Sequence, residues 1–146
     1  MKTLTVHASE TYDILIGENI LASALARFAG SGRFCLVTDS NVEPLYGDLV
    51  RGLLKAHGSV SGFTFPAGEP SKTLGTFSLL LEHLASAGLT RSDTVVALGG
   101  GVTGDLAGFA ASCYLRGVRV LQIPTTLLAM IDSSVGGKTG VDLKAG

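Results

Sequence analysis

The chain has 146 residues, which suits one globular domain with a real hydrophobic core. Hydrophobic residues make up 46% of it and charged residues 16%, a composition that excludes a disordered segment. The formal net charge of −1 offers no basic surface for nucleic acid and no cationic face for a membrane, and no apolar run reaches the length of a membrane span.

The predicted elements begin with a β-hairpin, in which residues 3–7 and 12–16 form short strands joined by the polar turn ASE. Strands and helices then alternate along the chain. Strands are predicted at 33–39, 60–65, 94–101 and 118–124, and helices at 20–29, 43–57, 73–87 and 103–115. Apolar, β-branched strands that alternate with helices predict an α/β, Rossmann-like fold, with a mostly parallel sheet and helices on both faces.

The cysteines and histidines predict neither a disulfide nor a metal site. Cys35 and Cys113 lie in apolar runs and are expected to be buried, reduced thiols. His7, His57 and His83 have no ligand-like spacing, so we expect ordinary strand and helix residues. The N-terminus lacks the apolar core of a signal peptide, and the thiols fit a cytoplasmic protein.

The stretch GGGVTGD, between a strand and a helix, carries the G-x-G-x-x-G spacing at Gly99, Gly101 and Gly104. Such a turn lets the backbone approach a pyrophosphate at a helix N-terminus, although a tight turn without a ligand explains the spacing equally well. The usual acidic residue about 20 positions later is missing, because no acid occurs between Asp105 and Asp132. A dinucleotide would therefore meet its ribose partners in the other strand-end loops, TDSN and PAGEPSK.

A second glycine-rich stretch, PTTLLAMIDSSVGGKTGVDL, covers residues 124–143. Its chemistry alone is compatible with a surface loop carrying a solvated lysine, or with a loop that gathers phosphate by amides and the Lys138 ammonium. A P-loop is excluded, because GGKTG lacks the preceding glycine at the required spacing.

With these motifs the chain resembles the 3-dehydroquinate synthase family of sugar-phosphate cyclases. GGGVTGDLAGFAASCYLRG followed by QIPTTLLAMIDSSVGGKTGV carries the resemblance, and DSN and GEPSK recur where that family contacts its cofactor. The resemblance implies that residues 1–146 are an NAD-binding α/β domain, cut from a longer protein whose helical C-terminal domain holds a divalent metal, zinc or cobalt. It also implies a homodimer that converts 3-deoxy-D-arabino-heptulosonate 7-phosphate into 3-dehydroquinate and phosphate, in the shikimate pathway of aromatic amino-acid biosynthesis.

Site residues carry over from the family position by position. Asp132, Lys138 and Arg116 match groups at the reacting end, Arg116 reaching substrate phosphate and doing so from the neighbouring subunit in some relatives. The cofactor contacts implied are Asp39, Asn41, Gly68, Glu69, Pro70, Ser71, Lys72, Gly100, Gly101, Val102, Thr103, Gly104, Asp105, Thr125, Thr126 and Lys138. The family's metal ligands lie outside this chain.

The match has one departure and leaves other classes open. Ala67 stands where the family commonly has an acid, so no side-chain role is expected there. The alternatives are another sugar-phosphate cyclase, a metal-dependent polyol dehydrogenase of the same fold, or a free-standing nucleotide-binding module.

Overall fold

The computed structural model describes all residues, 1–146, and the chain divides into two compact units, Met1–Gly30 and Ser31–Gly146. In the first unit, strands β1 (Lys2–His7) and β2 (Thr11–Ile16) pair antiparallel, and helix α1 (Leu21–Phe28) follows. Arg27 of α1 pairs with Asp13 of β2 at 2.5 Å. The predicted hairpin and helix are confirmed.

The second unit contains four strands with helices and short helical turns between them. In chain order they are β3 (Gly32–Asp39), a π-helical turn (Glu43–Gly47), α2 (Asp48–Lys55), β4 (Gly58–Phe65), a 3-10 turn (Glu69–Ser71), α3 (Leu74–Ser86), β5 (Thr94–Gly99), α4 (Gly101–Cys113), a 3-10 turn (Tyr114–Arg116), β6 (Arg119–Pro124) and a π-helical turn (Ala129–Ser133). This alternation is the predicted one. The helix predicted to reach His57 ends earlier, because the amide of His57 closes a turn onto the carbonyl of Leu54 before β4 begins.

The four strands form one parallel sheet in the order β4-β3-β5-β6. The chain moves outward from β3 to β4, crosses back to β5, and then continues to β6. Because such crossovers are right-handed, α2 covers one face of the sheet, and α3 and α4 cover the other. The predicted parallel sheet with helices on both faces is confirmed.

The core lies between the sheet and these helices. On one face, side chains of β3, α3 and α4 pack together in a cluster whose buried members are at most 4% exposed. They include Cys35, Val37, Leu80, Leu84 and Leu106. The alternate side chains of β3 and β5 are equally buried on the opposite face, as a sheet covered on both sides requires. No helix is both long and apolar enough to cross a membrane.

The two cysteines differ. Cys35 is buried, as predicted, and burial raises the pKa of its thiol to about 11 despite a side-chain hydrogen bond with Ser61. The expectation for Cys113 was wrong, since this thiol is exposed. Burial along α4 ends at Ala111, so the final residue of the helix lies outside the packed interface.

Candidate functional site

The carboxyl ends of β3 and β5 form the point at which the direction of the chain connections reverses. The connection after β3 runs to one face of the sheet, and the connection after β5 runs to the other. Because the two loops diverge, a crevice forms between them. The crevice is a cavity of about 290 Å³. Its lining residues are Asp39, Asn41, Val42, Ala67, Gly68, Gly100, Gly101, Val102, Thr103, Thr125 and Thr126. The structure thus brings together nine of the predicted cofactor residues, and adds Val42 and Ala67.

The glycine turn in this cavity is very short. Strand β5 ends at Gly99 and α4 begins at Gly101, so that only Gly100 separates them. A Cβ atom on Gly99 would lie 2.7 Å from the Cβ of Thr103, and therefore only glycine allows this approach. The first intrahelical bond runs from the Gly104 amide to the Gly100 carbonyl at 3.1 Å, which leaves the three preceding amides without a helical acceptor. The turn therefore presents free N–H groups and the positive end of a 13-residue helix to the cavity.

Thr103 adds an unsatisfied polar atom to the same wall. The residue is 0% exposed, lines the cavity, and its Oγ1 has no hydrogen-bond partner in the protein. A buried hydroxyl without a partner costs on the order of 1–3 kcal/mol. The free amides of the turn, together with the hydroxyls of Thr125 and Thr126 in the same lining, fit an anionic, oxygen-rich group such as a pyrophosphate.

The loop after β3 is held in place by its own side chains. The Oδ1 of Asp39 accepts hydrogen bonds from the amides of Asn41 (2.8 Å) and Val42 (3.0 Å). The hydroxyl of Ser40 accepts the amide of Ala67 at 2.9 Å, and so joins this loop to the next one. Sequence reasoning missed Ser40, whose only signal was its place inside the polar DSN turn. Ala67 contributes its backbone amide, which needs no acidic side chain.

A second cavity of about 170 Å³ is lined by residues from α4, from the Glu69–Ser71 turn region and from the end of the chain. Its lining residues are Lys72, Asp105, Lys138, Thr139, Gly140, Val141 and Asp142. The Nζ of Lys72 lies 2.8 Å from the Oδ2 of Asp105 and 3.7 Å from the Oε1 of Glu69. Lys72, Asp105 and Lys138, predicted as cofactor residues, thus lie together in a cavity separate from the glycine turn.

Ionisable side chains in and beside this second cavity shift one another's pKa values. The hydrogen bond to Asp105 raises the pKa of Lys72, and burial only partly opposes this effect. A side-chain hydrogen bond with Asp142 raises the pKa of Glu69, and burial adds to it, whereas the positive charge of Lys72 acts the other way. The positive charge of Lys72 therefore lies among three carboxyl groups, those of Asp105, Glu69 and Asp142.

Several predicted site residues line neither cavity. Gly104 lies against Gln122, whose Oε1 would be 3.0 Å from an added Cβ, so this glycine serves helix–strand packing. Glu69, Pro70 and Ser71 form the 3-10 turn, in which the Ser71 hydroxyl donates to the Pro66 carbonyl.

The predicted reacting groups are dispersed. Asp132 is exposed in the π-helical turn after β6. Arg116 lies beyond the far end of α4, and 13 helical residues separate that end from the glycine turn by roughly 20 Å. The structure therefore does not bring Arg116 together with the other predicted residues.

The histidines occupy separate positions, His7 at the end of β1, His57 in the turn after α2, and His83 in α3 with its ring 5.7 Å from that of Phe63. No group of three or more His, Cys, Asp or Glu side chains is arranged to hold a metal ion.

Comparisons of the sequence with a family model and with curated proteins point to the same family. A family model described as 3-dehydroquinate synthase N-terminal matches residues 62–146. Over 147 residues the chain is 48% identical to the 3-dehydroquinate synthase of Alkaliphilus metalliredigens, and the match covers 100% of the chain and 41% of that protein. The enzyme of Symbiobacterium thermophilum is 51% identical over 142 residues, which cover 94% of the chain and 40% of that protein. The chain thus spans about two fifths of the length of the curated relatives it matches.

Solved structures agree with this result. The structure of 2-deoxy-scyllo-inosose synthase with carbaglucose-6-phosphate, NAD+ and Co2+ has a TM-score of 0.91 at 31% identity, over 99% of this chain and 41% of that one. The 2-epi-5-epi-valiolone synthase of Streptomyces hygroscopicus, with NAD+ and Zn2+, has a TM-score of 0.83 at 33% identity, over 97% and 40% of the two chains. An iron-containing alcohol dehydrogenase of Thermococcus thioreducens shares the fold alone, with a TM-score of 0.57 at 19% identity. The family model covers more than half of the chain, and the chain therefore belongs to the 3-dehydroquinate synthase family, of which it matches the N-terminal part.

Proposed function

We propose that residues 1–146 are the NAD-binding domain of a 3-dehydroquinate synthase. The longer protein would convert 3-deoxy-D-arabino-heptulosonate 7-phosphate into 3-dehydroquinate and phosphate. The observation that carries the proposal is the glycine turn at the sheet's switch point, where free helix amides and the hydroxyls of Thr125 and Thr126 line one cavity. The similar structures that hold NAD+ and Co2+ or Zn2+ support the same assignment.

The two ends of the cavity suit different parts of the dinucleotide. We assign the pyrophosphate to the amides of residues 101–103 and to the hydroxyls of Thr125 and Thr126. Asp39 and Asn41, at the end of β3 in the same lining, would meet the ribose and adenine side. The Asp39 carboxylate is already oriented by the hydrogen bonds that it accepts from two backbone amides. Little side-chain freedom is therefore lost when a ribose hydroxyl donates to it.

The reacting end of the cofactor belongs with the second cavity. NAD, when bound, supplies a hydride acceptor that is regenerated in each turnover, and a zinc or cobalt ion held by ligands outside this chain would polarise the substrate oxygens. The ammonium of Lys138 would offset negative charge that develops on the substrate. Lys72, fixed by Asp105, would hold a second positive charge beside it without moving. Asp132 would accept hydrogen bonds from substrate hydroxyls.

Arg116 fits this scheme only as a residue that acts in a neighbouring copy of the protein. The roughly 20 Å length of α4 separates it from the glycine turn, so it would bind substrate phosphate across a homodimer interface. We expect the R116A and K138A variants of the longer protein to be inactive alone. Mixed dimers should recover about a quarter of the wild-type activity, because half of the dimers are mixed and each holds one intact site. A mixture that stays inactive would refute the shared site.

The assay that tests the function is phosphate release by the longer protein with NAD and zinc. We expect turnover with the heptulosonate phosphate, and none with glucose 6-phosphate. The second substrate tests the alternative of a cyclase such as 2-deoxy-scyllo-inosose synthase, which the structural similarity also allows. Oxidation of a polyol with net NADH accumulation would instead indicate a dehydrogenase.

Residues 1–146 alone should release no phosphate under these conditions, because no cluster of metal ligands exists in this chain. Turnover within about tenfold of the longer protein, equivalent to about 1.4 kcal/mol in the barrier, would contradict the proposed division of labour.

A further inference from the structure

Lys138 lies between glycines that have open space where a side chain would be. An added Cβ would meet nothing within 4 Å at Gly136, Gly137 or Gly140. Glycines also have the greatest backbone freedom of any residue, so this sequence does not by itself hold Lys138 at the cavity. Contacts of the residues after Lys138 therefore help to fix its position.

One such contact is the approach of Thr139 to α4. A Cβ on Gly108 would lie 2.5 Å from the Cγ2 of Thr139, and this methyl therefore occupies the space of a missing side chain. Gly108 is buried in the middle of the helix, where glycine is about 1 kcal/mol less favourable than alanine. Helix propensity does not explain this glycine, whereas the close approach of Thr139 does.

A second contact holds the segment three residues later. The amide of Asp142 donates to the Lys72 carbonyl at 2.8 Å, and Asp142 forms a parallel bridge with Thr73. Val141, between the two contacts, packs against the main hydrophobic cluster. Residues 139–142 are thus attached at both ends, and Lys138 directly precedes the first attachment.

We propose that Gly108 is a positioning residue, which seats the Thr139 methyl in α4 and thereby fixes Lys138 beside Lys72 and Asp105. The contact between the Thr139 methyl and Gly108, which we call the seat of Thr139, follows from the structure of this chain alone. Only the chemical use of Lys138 rests on the proposed function.

The test is amide hydrogen exchange of residues 139–142 in four proteins: wild type, G108A, T139A and G108A/T139A. The added methyl of G108A should displace Thr139 and accelerate exchange at Asp142 about tenfold. The double variant should exchange as slowly as T139A, because the remaining Cβ of residue 139 would lie 3.5 Å from the new methyl, an ordinary contact. G52A, on the exposed side of α2 with nothing within 4 Å, is the matched control and should leave exchange unchanged.

Wild-type exchange at Asp142 in G108A, or a double variant that exchanges faster than T139A, would overturn the proposal. If G108A does not fold, recovery of the folded state in G108A/T139A supports the seat, and failure to recover refutes it. In the longer protein, turnover should fall in G108A and return in part in the double variant. Turnover that is unchanged while exchange at Asp142 rises would contradict the proposed role of Lys138 in the reaction, and would leave the seat itself supported.

Discussion

The substitution Gly101→Ala separates the binding role of the glycine turn from its structural role. Gly101 is the first residue of α4, a position in a helix that residues with a side chain also occupy. An added Cβ would meet only Ser133, with Oγ at 3.5 Å and Cβ at 3.8 Å, which are ordinary contacts. We therefore expect the free energy of unfolding to stay the same or to rise by up to about 1 kcal/mol, because alanine restricts the unfolded chain.

The same methyl takes space at the cavity wall where a phosphate must approach the helix amides. A hydrogen bond to a charged group contributes about 1.5–3 kcal/mol, so the loss of one such bond should weaken NAD binding about 10- to 150-fold. Calorimetric titration and thermal unfolding of the same preparations measure both quantities. G52A is the matched control, since it adds the same methyl to an exposed helix position far from any neighbour and should bind NAD as the wild type does. Wild-type affinity in a folded G101A protein would refute the pyrophosphate assignment.

Three further outcomes are expected. Thr126→Ala removes one hydroxyl from the cavity wall and should cost about 0.5–1.5 kcal/mol of NAD affinity, less than Gly101→Val costs; equal losses in two folded variants would contradict the turn's role. The longer protein should prefer NAD to NADP in calorimetric titration, because a 2′-phosphate would meet the acidic Asp39. Equal or tighter NADP binding would contradict the proposed contact of Asp39 with the ribose. Burial of Asp93 tends to raise its pKa, but hydrogen bonds from Arg33 and Thr90 lower it overall, so this carboxylate contributes stability above its usual pKa of 3.8 that is lost as the pH falls through the folded value. Asp93→Asn should therefore lower the free energy of unfolding at pH 7 and flatten its dependence on pH below 4, and unfolding curves measured from pH 2 to 7 that match the wild type would refute this role.

The fold was largely predictable because its signals are local. Apolar strands with polar ends and helices with 3.6-residue periodicity depend on neighbouring residues only, and a parallel sheet then brings the strand-end loops to one edge. The convergence of Asp39, Gly101 and Thr126 on one cavity follows from that topology. The end of α4 was less well predicted, because the burial of Cys113 depends on how far the packed interface extends along the helix.

Contacts between distant segments could not be read from the sequence. Three contacts depend on how loops and helices are placed across the sheet. They are the ion pair of Lys72 with Asp105, the hydrogen bond of Ser40 with Ala67, and the contact of Thr139 with Gly108. No periodicity encodes these pairings. The resemblance to a family named Lys72 and Asp105 as site residues, but it did not indicate that they form an ion pair.

We propose that this chain binds NAD at the carboxyl edge of β3 and β5. The most direct test is an NMR titration of ¹⁵N-labelled protein with NAD, followed at each backbone amide. We predict the largest, saturable shifts at the amides of residues 101–103, with further shifts at Asn41, Thr125 and Thr126, and none at Arg116 beyond the opposite end of α4. Saturable shifts that cluster away from the glycine turn, or no shifts with millimolar NAD in the folded chain, would contradict the claim.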